Sequence, residues 1–209
     1  LWARERHRAS EAERPTVIVG SSRIFFDVDL GTWEELTGDR PIMLAIEGTD
    51  PLPFLHHLAD DPAFSGTVLV GVTPPIFFTG YAERQGVLGY YRDETPSQRW
   101  SKAIDMLLEP LFAFHGAGQR DLALFKLLKR LELNNRPGVP PPHMEIRDIA
   151  DSDADRNTRL WNPVATDPAL NAATTARWQF MIESAPKPPS DAPPFDVGAF
   201  LASVRPAVE

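Results

Sequence analysis

The chain has 209 residues, 43% hydrophobic and 10% aromatic, enough apolar surface to offset chain entropy and build one folded domain with additions. A net charge of -8, with no Lys/Arg cluster beyond the first 14 residues, argues against a nucleic-acid partner, which needs a concentrated basic face. The absence of cysteine excludes disulfides, thiolate metal sites and cysteine nucleophiles, and 21 prolines point to long extended segments.

The first segment, Leu1-Trp2-Ala3-Arg4-Glu5-Arg6-His7-Arg8, sets an interfacial aromatic before basic residues, the arrangement that comes after a membrane anchor. Residues 1–14 are therefore expected to be a juxtamembrane or linker segment, with a membrane anchor upstream of residue 1; a frayed charged terminus is the competing reading. No run reaches the roughly 18 consecutive apolar residues of a membrane helix. Residues 15–78 carry the pattern of an α/β core. Pro15–Gly20, Pro41–Ile46 and Gly66–Val72 are short apolar, β-branched runs bounded by Pro or Gly and predict buried strands. Between them, Asp29 is placed to cap a helix over Gly31–Leu36 that Gly38 ends, and Pro51–Leu58 predicts a second helix. Near-continuous apolar strands joined by helices imply a parallel sheet covered on both faces.

Residues 79–135 read as a helical insertion. Trp100, Ile104, Leu107, Leu108 and Leu111 fall on one face of a helix from Ser97 to His115, kinked at Pro110, and a further helix is expected from Asp121 to Leu133. Such helices pack on the sheet or form a lid. Residues 136–195 hold most of the prolines, with Pro140-Pro141-Pro142 and Pro188-Pro189 favouring an extended arm, interrupted by a helix over Thr175–Glu183. In residues 196–209, Asp196 caps a helix that turns Phe200, Leu201 and Val204 inward and returns to the core. A further strand is expected after it and is not within residues 1–209.

The sharpest chemical feature is Val17-Ile18-Val19-Gly20-Ser21-Ser22-Arg23. At the carboxyl end of a parallel strand, a tight turn at glycine lifts a hydroxyl into the crevice where such sheets bind ligands, with backbone N–H groups facing a developing oxyanion. A Gly-Ser turn without chemistry accounts for the same residues.

The strand, Gly-Ser-Ser-Arg, a Phe-rich turn, Asp27-Val28-Asp29-Leu30 and a second strand ending before Gly48 resemble the GSSR-type branch of the SGNH/GDSL hydrolase superfamily. That branch is similar to proteins that move acyl or alanyl groups onto extracellular polymers, including alginate O-acetyltransferases. The resemblance covers roughly residues 15–78, and the final helix weakly. It implies a three-layer, flavodoxin-like parallel sheet, incomplete here. By position it makes Ser22 the catalytic nucleophile, with Ser21 where the family has aspartate. The oxyanion hole it implies is formed by the backbone N–H groups of Ser22 and Gly48, with Thr73 in Gly71-Val72-Thr73-Pro74 where the family offers asparagine. A hydroxyl in place of an amide is a departure that costs about 10²-fold or more in rate if one donor is lost.

The family's closing Asp-x-x-His block, which supplies the base, does not occur in residues 1–209. The expectation is a histidine beyond residue 209, oriented by an aspartate, so that residues 1–209 alone do not turn over substrate. His7, His56, His57, His115 and His143 stand in other contexts: His56 and His57 on the helix after Gly48 suit surface or packing roles, and His143 comes after three prolines in the arm.

Asp148, Asp151, Asp153 and Asp155 resemble a calcium loop in composition but lack its glycine and distal glutamate, and read as a solvated acidic loop. With no Gly-x-Gly-x-x-Gly series and no P-loop, no cofactor and no metal are implied. What the resemblance implies is a serine acyl-ester hydrolase or O-acyltransferase, bacterial and extracytoplasmic, acting on an acyl-ester or polysaccharide substrate of the cell envelope. The rival expectation is a catalytically inactive SGNH-like binding or scaffold module in envelope assembly. Oligomeric state is not legible.

Overall fold

The structure, a computed structural model, describes residues 1–77, 85–108, 111, 149–184 and 196–207. The chain is α/β and divides into two compact units, one of Leu1–Pro96, Asp153–Thr158 and Pro189–Glu209, the other of Ser97–Ser152 and Arg159–Pro188.

The first unit is built on three parallel strands, β1 (Thr16–Gly20), β2 (Ile42–Met43) and β3 (Thr67–Gly71), in the order β2-β1-β3. β1 is central: Val17 stands opposite Ile42 on one side and Val68 on the other, and Gly20 faces Gly71. The second strand was expected over Pro41–Ile46. Its ladder covers only Ile42–Met43, yet the chain keeps bonding to β1 beyond it, Leu44 N–H to Ile18 O at 2.8 Å and Ile46 N–H to Gly20 O at 3.0 Å.

Alternation along the strands divides the core in two. Val17, Val19, Ile42, Leu44 and Ile46 pack with Phe54 and Leu58 of α4 (Leu52–Ala59) and with Trp2 and Ala9 of α1 (Trp2–Glu11). Leu88 and Tyr91 of α6 (Gly86–Asp93) lie against that cluster. Ile18, Met43 and Ala45 face the other way, onto Phe25 of α2 (Ser22–Asp27) and Leu30 of α3 (Leu30–Thr37). α3 obeys its sequence signals: the Asp29 carboxylate accepts the Thr32 N–H, and Gly38 closes the helix at φ 75°. Covering is incomplete at β3, where Leu69, on the Ile18 face by register, stays 39% exposed.

Residues 1–14, expected as a juxtamembrane or linker segment, contain α1, whose inward face carries Trp2, Ala3, Glu5, Arg6 and Ala9. Trp2 is 7% exposed, donates its indole N–H to Leu44 O at 2.9 Å, and meets Phe54 edge-on at 5.5 Å between ring centres. Arg6, fully buried, donates to His57 Nδ1, His57 O, Ser10 Oγ and Asp61 Oδ2, and lies over the Tyr91 ring. A polar network thus joins α1, α4 and α6.

In the second unit, α7 (Pro96–Leu108) exposes the apolar stripe that periodicity predicts, Trp100 at 71% and Leu107 at 73%. Two short strands, β4 (Ala150–Ser152) and β5 (Thr158–Leu160), pair with each other, and helices come next over Asn162–Thr166 and Pro168–Ser184. The last of these is longer than the helix expected at Thr175–Glu183. The expected helix at Asp121–Leu133 and the prolines 140–142 and 188–189 lie outside the described residues. The final helix, Val197–Val204, belongs to the first unit and is capped by Asp196, which accepts the Ala199 N–H at 3.0 Å; its Leu201, expected to face inward, is exposed. Among the described residues, no helix is long and apolar enough to cross a membrane.

Candidate functional site at the carboxyl edge of the sheet

Three parallel strands end on one edge, and in the order β2-β1-β3 the turn after β1 lies between the turns after β2 and β3. Ser21 and Ser22 therefore stand between the turn Glu47–Asp50 and Thr73. The turn after β1 depends on glycine. A Cβ on Gly20 would lie 2.3 Å from Ile24 Cγ2 and 3.0 Å from Gly71 O, so no side chain fits where β1 hands over to α2.

Ser21 is the N-cap of α2 and is 1% exposed; its Oγ has no hydrogen-bond partner. Ser22 opens α2 and is half-buried. Its backbone N–H is among the first of the helix and has no acceptor within it.

After β2, Gly48 adopts the left-handed conformation at φ 64°, and nothing lies within 4 Å of where its Cβ would be. Thr49 is fully buried and Asp50 nearly so. Asp50 Oδ1 accepts the Leu52 N–H at 2.9 Å, but burial dominates and raises the pKa of the carboxyl. After β3, Thr73 is buried, and its carbonyl accepts the Ile76 and Phe77 N–H groups that begin α5 (Pro74–Phe77).

Neither His7 nor His57 bonds to Ser22. His7 pairs through Nε2 with Glu94 Oε2 at 3.0 Å and packs on Tyr91. His57 accepts from Arg6 Nε through Nδ1 at 3.0 Å, which fixes that nitrogen as unprotonated; burial, then the Arg6 charge, lowers its pKa. His56 is half-buried on α4, and His115 and His143 lie outside the described residues.

The acidic loop has a different use from the solvated one expected. The Asp155 carboxylate receives Arg40 Nε at 2.8 Å and Nη2 at 2.6 Å. Asn157 Oδ1 accepts the Leu30 N–H at 2.9 Å, and its Nδ2 donates to Asp29 at 3.1 Å. Between them, Arg156 is buried against the first unit's sheet. Among the described residues, no three acidic or histidine side chains are grouped to hold a metal ion.

Comparison of the chain with family models, curated proteins and solved structures finds no match. The site therefore stands on its geometry: a half-buried hydroxyl after the central strand, flanked in sheet order by a left-handed glycine turn and a buried threonine. Hydropathy had no means of finding Glu5, Arg6, Asp50 or Arg156, since each is a charged residue placed inside. The one signal at Arg156 was an Arg-Asn pair directly after the acidic run.

Proposed function

We propose that the first unit is part of an SGNH-like, flavodoxin-like three-layer domain, and that the protein is a serine acyl-ester hydrolase or O-acyltransferase acting on a cell-envelope polymer outside the cytoplasm. One observation carries the reading: Ser22 comes after the central strand of a parallel sheet at its carboxyl edge, with Gly48 after one neighbouring strand and Thr73 after the other. That is where the resemblance puts the nucleophile and the oxyanion donors.

In this reaction Ser22 Oγ attacks the acyl carbonyl carbon and gives its proton to a histidine base. The carbonyl oxygen becomes an oxyanion held by the N–H groups of Ser22 and Gly48, with the Thr73 hydroxyl as a further donor. The ester C–O bond breaks, the leaving alcohol takes the proton, and an acyl-serine remains. Water or a sugar hydroxyl then attacks that ester, losing its proton to the base, and frees Ser22. Since His7 and His57 are bonded elsewhere, the base is another histidine.

Thr73 in the asparagine place favours a second reading, a non-catalytic envelope module on the same fold. Hydrolysis of an activated acetyl ester by the protein of the complete reading frame, beside Ser22→Ala, separates the two. Loss of turnover in the variant supports the enzyme; equal rates, or none in either protein, leave the binding module.

A further inference from the structure

β2 bonds to β1 through one edge only. Along an extended chain, successive residues aim their N–H and C=O groups to opposite sides, so Leu44 and Ile46, which donate to β1, alternate with Met43 and Ala45, whose carbonyls face away from it. No strand covers that side among the described residues. Arg156 takes its place, donating Nη1 to Met43 O at 3.0 Å and Nη2 to Ala45 O at 2.8 Å, across 113 and 111 residues of sequence. The rigid fork of a guanidinium suits two carbonyls in this relation, whereas a lysine ammonium is a single point.

The surroundings hold Arg156 in that pose. Its backbone is left-handed at φ 68°, a conformation rare for a residue with a long side chain. A compact turn imposes it: Arg156 N–H to Asp153 O at 3.0 Å, Asp153 N–H to Asn157 O at 2.9 Å, and Thr158 Oγ1 to Arg156 O at 3.0 Å. The guanidinium lies over the Phe25 ring at 5.0 Å. Burial lowers its pKa to about 10, and the negative charges of Glu47 and Glu5 oppose that shift.

Glu47 directly precedes Gly48, and Met43 and Ala45 are the outward-facing positions of the segment bonded to β1 that leads into it. Gly48 has no side chain, and nothing lies within 4 Å of where its Cβ would be, so no side-chain packing at this residue fixes the direction of its N–H. We infer that Arg156 is a positioning residue that sets the Gly48 N–H for the oxyanion, by clamping the free edge of the segment that leads into it. This rests on the hydrolase or acyltransferase reading above.

The test uses the full-length protein, p-nitrophenyl acetate as probe, and four variants: Ser22→Ala, Arg156→Gln, Arg156→Lys and Arg40→Gln. Arg40→Gln releases Asp155 from the same loop without touching the guanidinium and serves as the stability control. The expectation is a kcat about 10²-fold lower in Arg156→Gln, the scale of one lost oxyanion donor, with KM within about threefold and a smaller kcat loss in Arg156→Lys. Arg40→Gln lowers the melting temperature and keeps kcat within about twofold. If Arg156→Gln does not fold, Arg156→Lys carries the same test. Arg156 variants with wild-type kcat, or losses that track melting temperature alike in Arg40→Gln and Arg156→Lys, overturn the inference while Ser22→Ala remains inactive. Turnover unaffected by Ser22→Ala, or absent from the wild type, removes the function itself and the inference with it.

Discussion

Replacing Trp2 asks whether α1 is part of the core. The indole is 7% exposed, sits edge-on to Phe54 and Tyr91, and supplies a hydrogen bond to Leu44 O at 2.9 Å. Truncating a buried Trp to Ala costs about 3–5 kcal/mol. Trp2→Phe keeps most of the apolar contact and removes the donor, leaving the Leu44 carbonyl short of a partner at about 1–3 kcal/mol. Against a total stability of about 5–15 kcal/mol, the Ala variant loses a large share. Urea unfolding followed by far-ultraviolet circular dichroism reads it: with a slope near 2 kcal/mol per molar, a 4 kcal/mol loss moves the midpoint down by about 2 M at unchanged slope. A shift under about 0.5 M for Trp2→Ala would refute the docking of α1 on the sheet.

The remaining expectations concern charge and the turn glycines. Burial pushes the Asp61 carboxyl up, but hydrogen bonds from Ser10, Arg6 and the Ala63 N–H outweigh it and hold the pKa at about 2 rather than 3.8. Its folded pKa is depressed, so its contribution of about 2 kcal/mol is present above pH 3.8 and lost as pH falls towards 2; Asp61→Asn flattens that part of the stability profile. His57 is held neutral by burial and Arg6, so stability also falls as pH drops through the ordinary histidine range near 6.5, and His57→Phe removes that slope. Gly20→Ala, with its new methyl 2.3 Å from Ile24 and 3.0 Å from the Gly71 carbonyl, should destabilise by more than about 2 kcal/mol, whereas Gly48→Ala carries only a left-handed penalty of about 1–2 kcal/mol. Equal melting temperatures for those two would contradict the close packing at Gly20.

Between Thr16 and Gly71 the three strands and the helices α3 and α4 were legible because each announces itself locally, as with the β-branched run ending at Gly20, the Asp29 cap and the left-handed Gly38, whereas α2 falls where a Phe-rich turn was expected. What was not legible is polar residues facing inward. α1 turns Glu5 and Arg6 to the core, so a helix whose composition suggests a solvated linker is an inner layer. The aspartates around Arg156 read as solvent-facing for the same reason. The partners of this loop, Arg40 for Asp155, Asp29 for Asn157 and the Met43 and Ala45 carbonyls for Arg156, lie over 100 residues away, beyond any local pattern. Of the candidate site, Ser22, Gly48 and Thr73 fall at the ends of three adjacent strands, while buried Asp50 and the Arg156 clamp came only with the coordinates.

The clamp also orders events in time. The three described strands of the parallel sheet lie between Thr16 and Gly71, so their pairings close short loops and can form early in synthesis, whereas Arg156 emerges from the ribosome about 85 residues later. Until then the Met43 and Ala45 carbonyls lack the guanidinium as partner. Contacts across 113 and 111 residues close long loops and are expected to form after the sheet, so removing the guanidinium should speed unfolding and leave the refolding rate nearly untouched. The residue would thus govern how long the native sheet edge lasts rather than how fast it is reached.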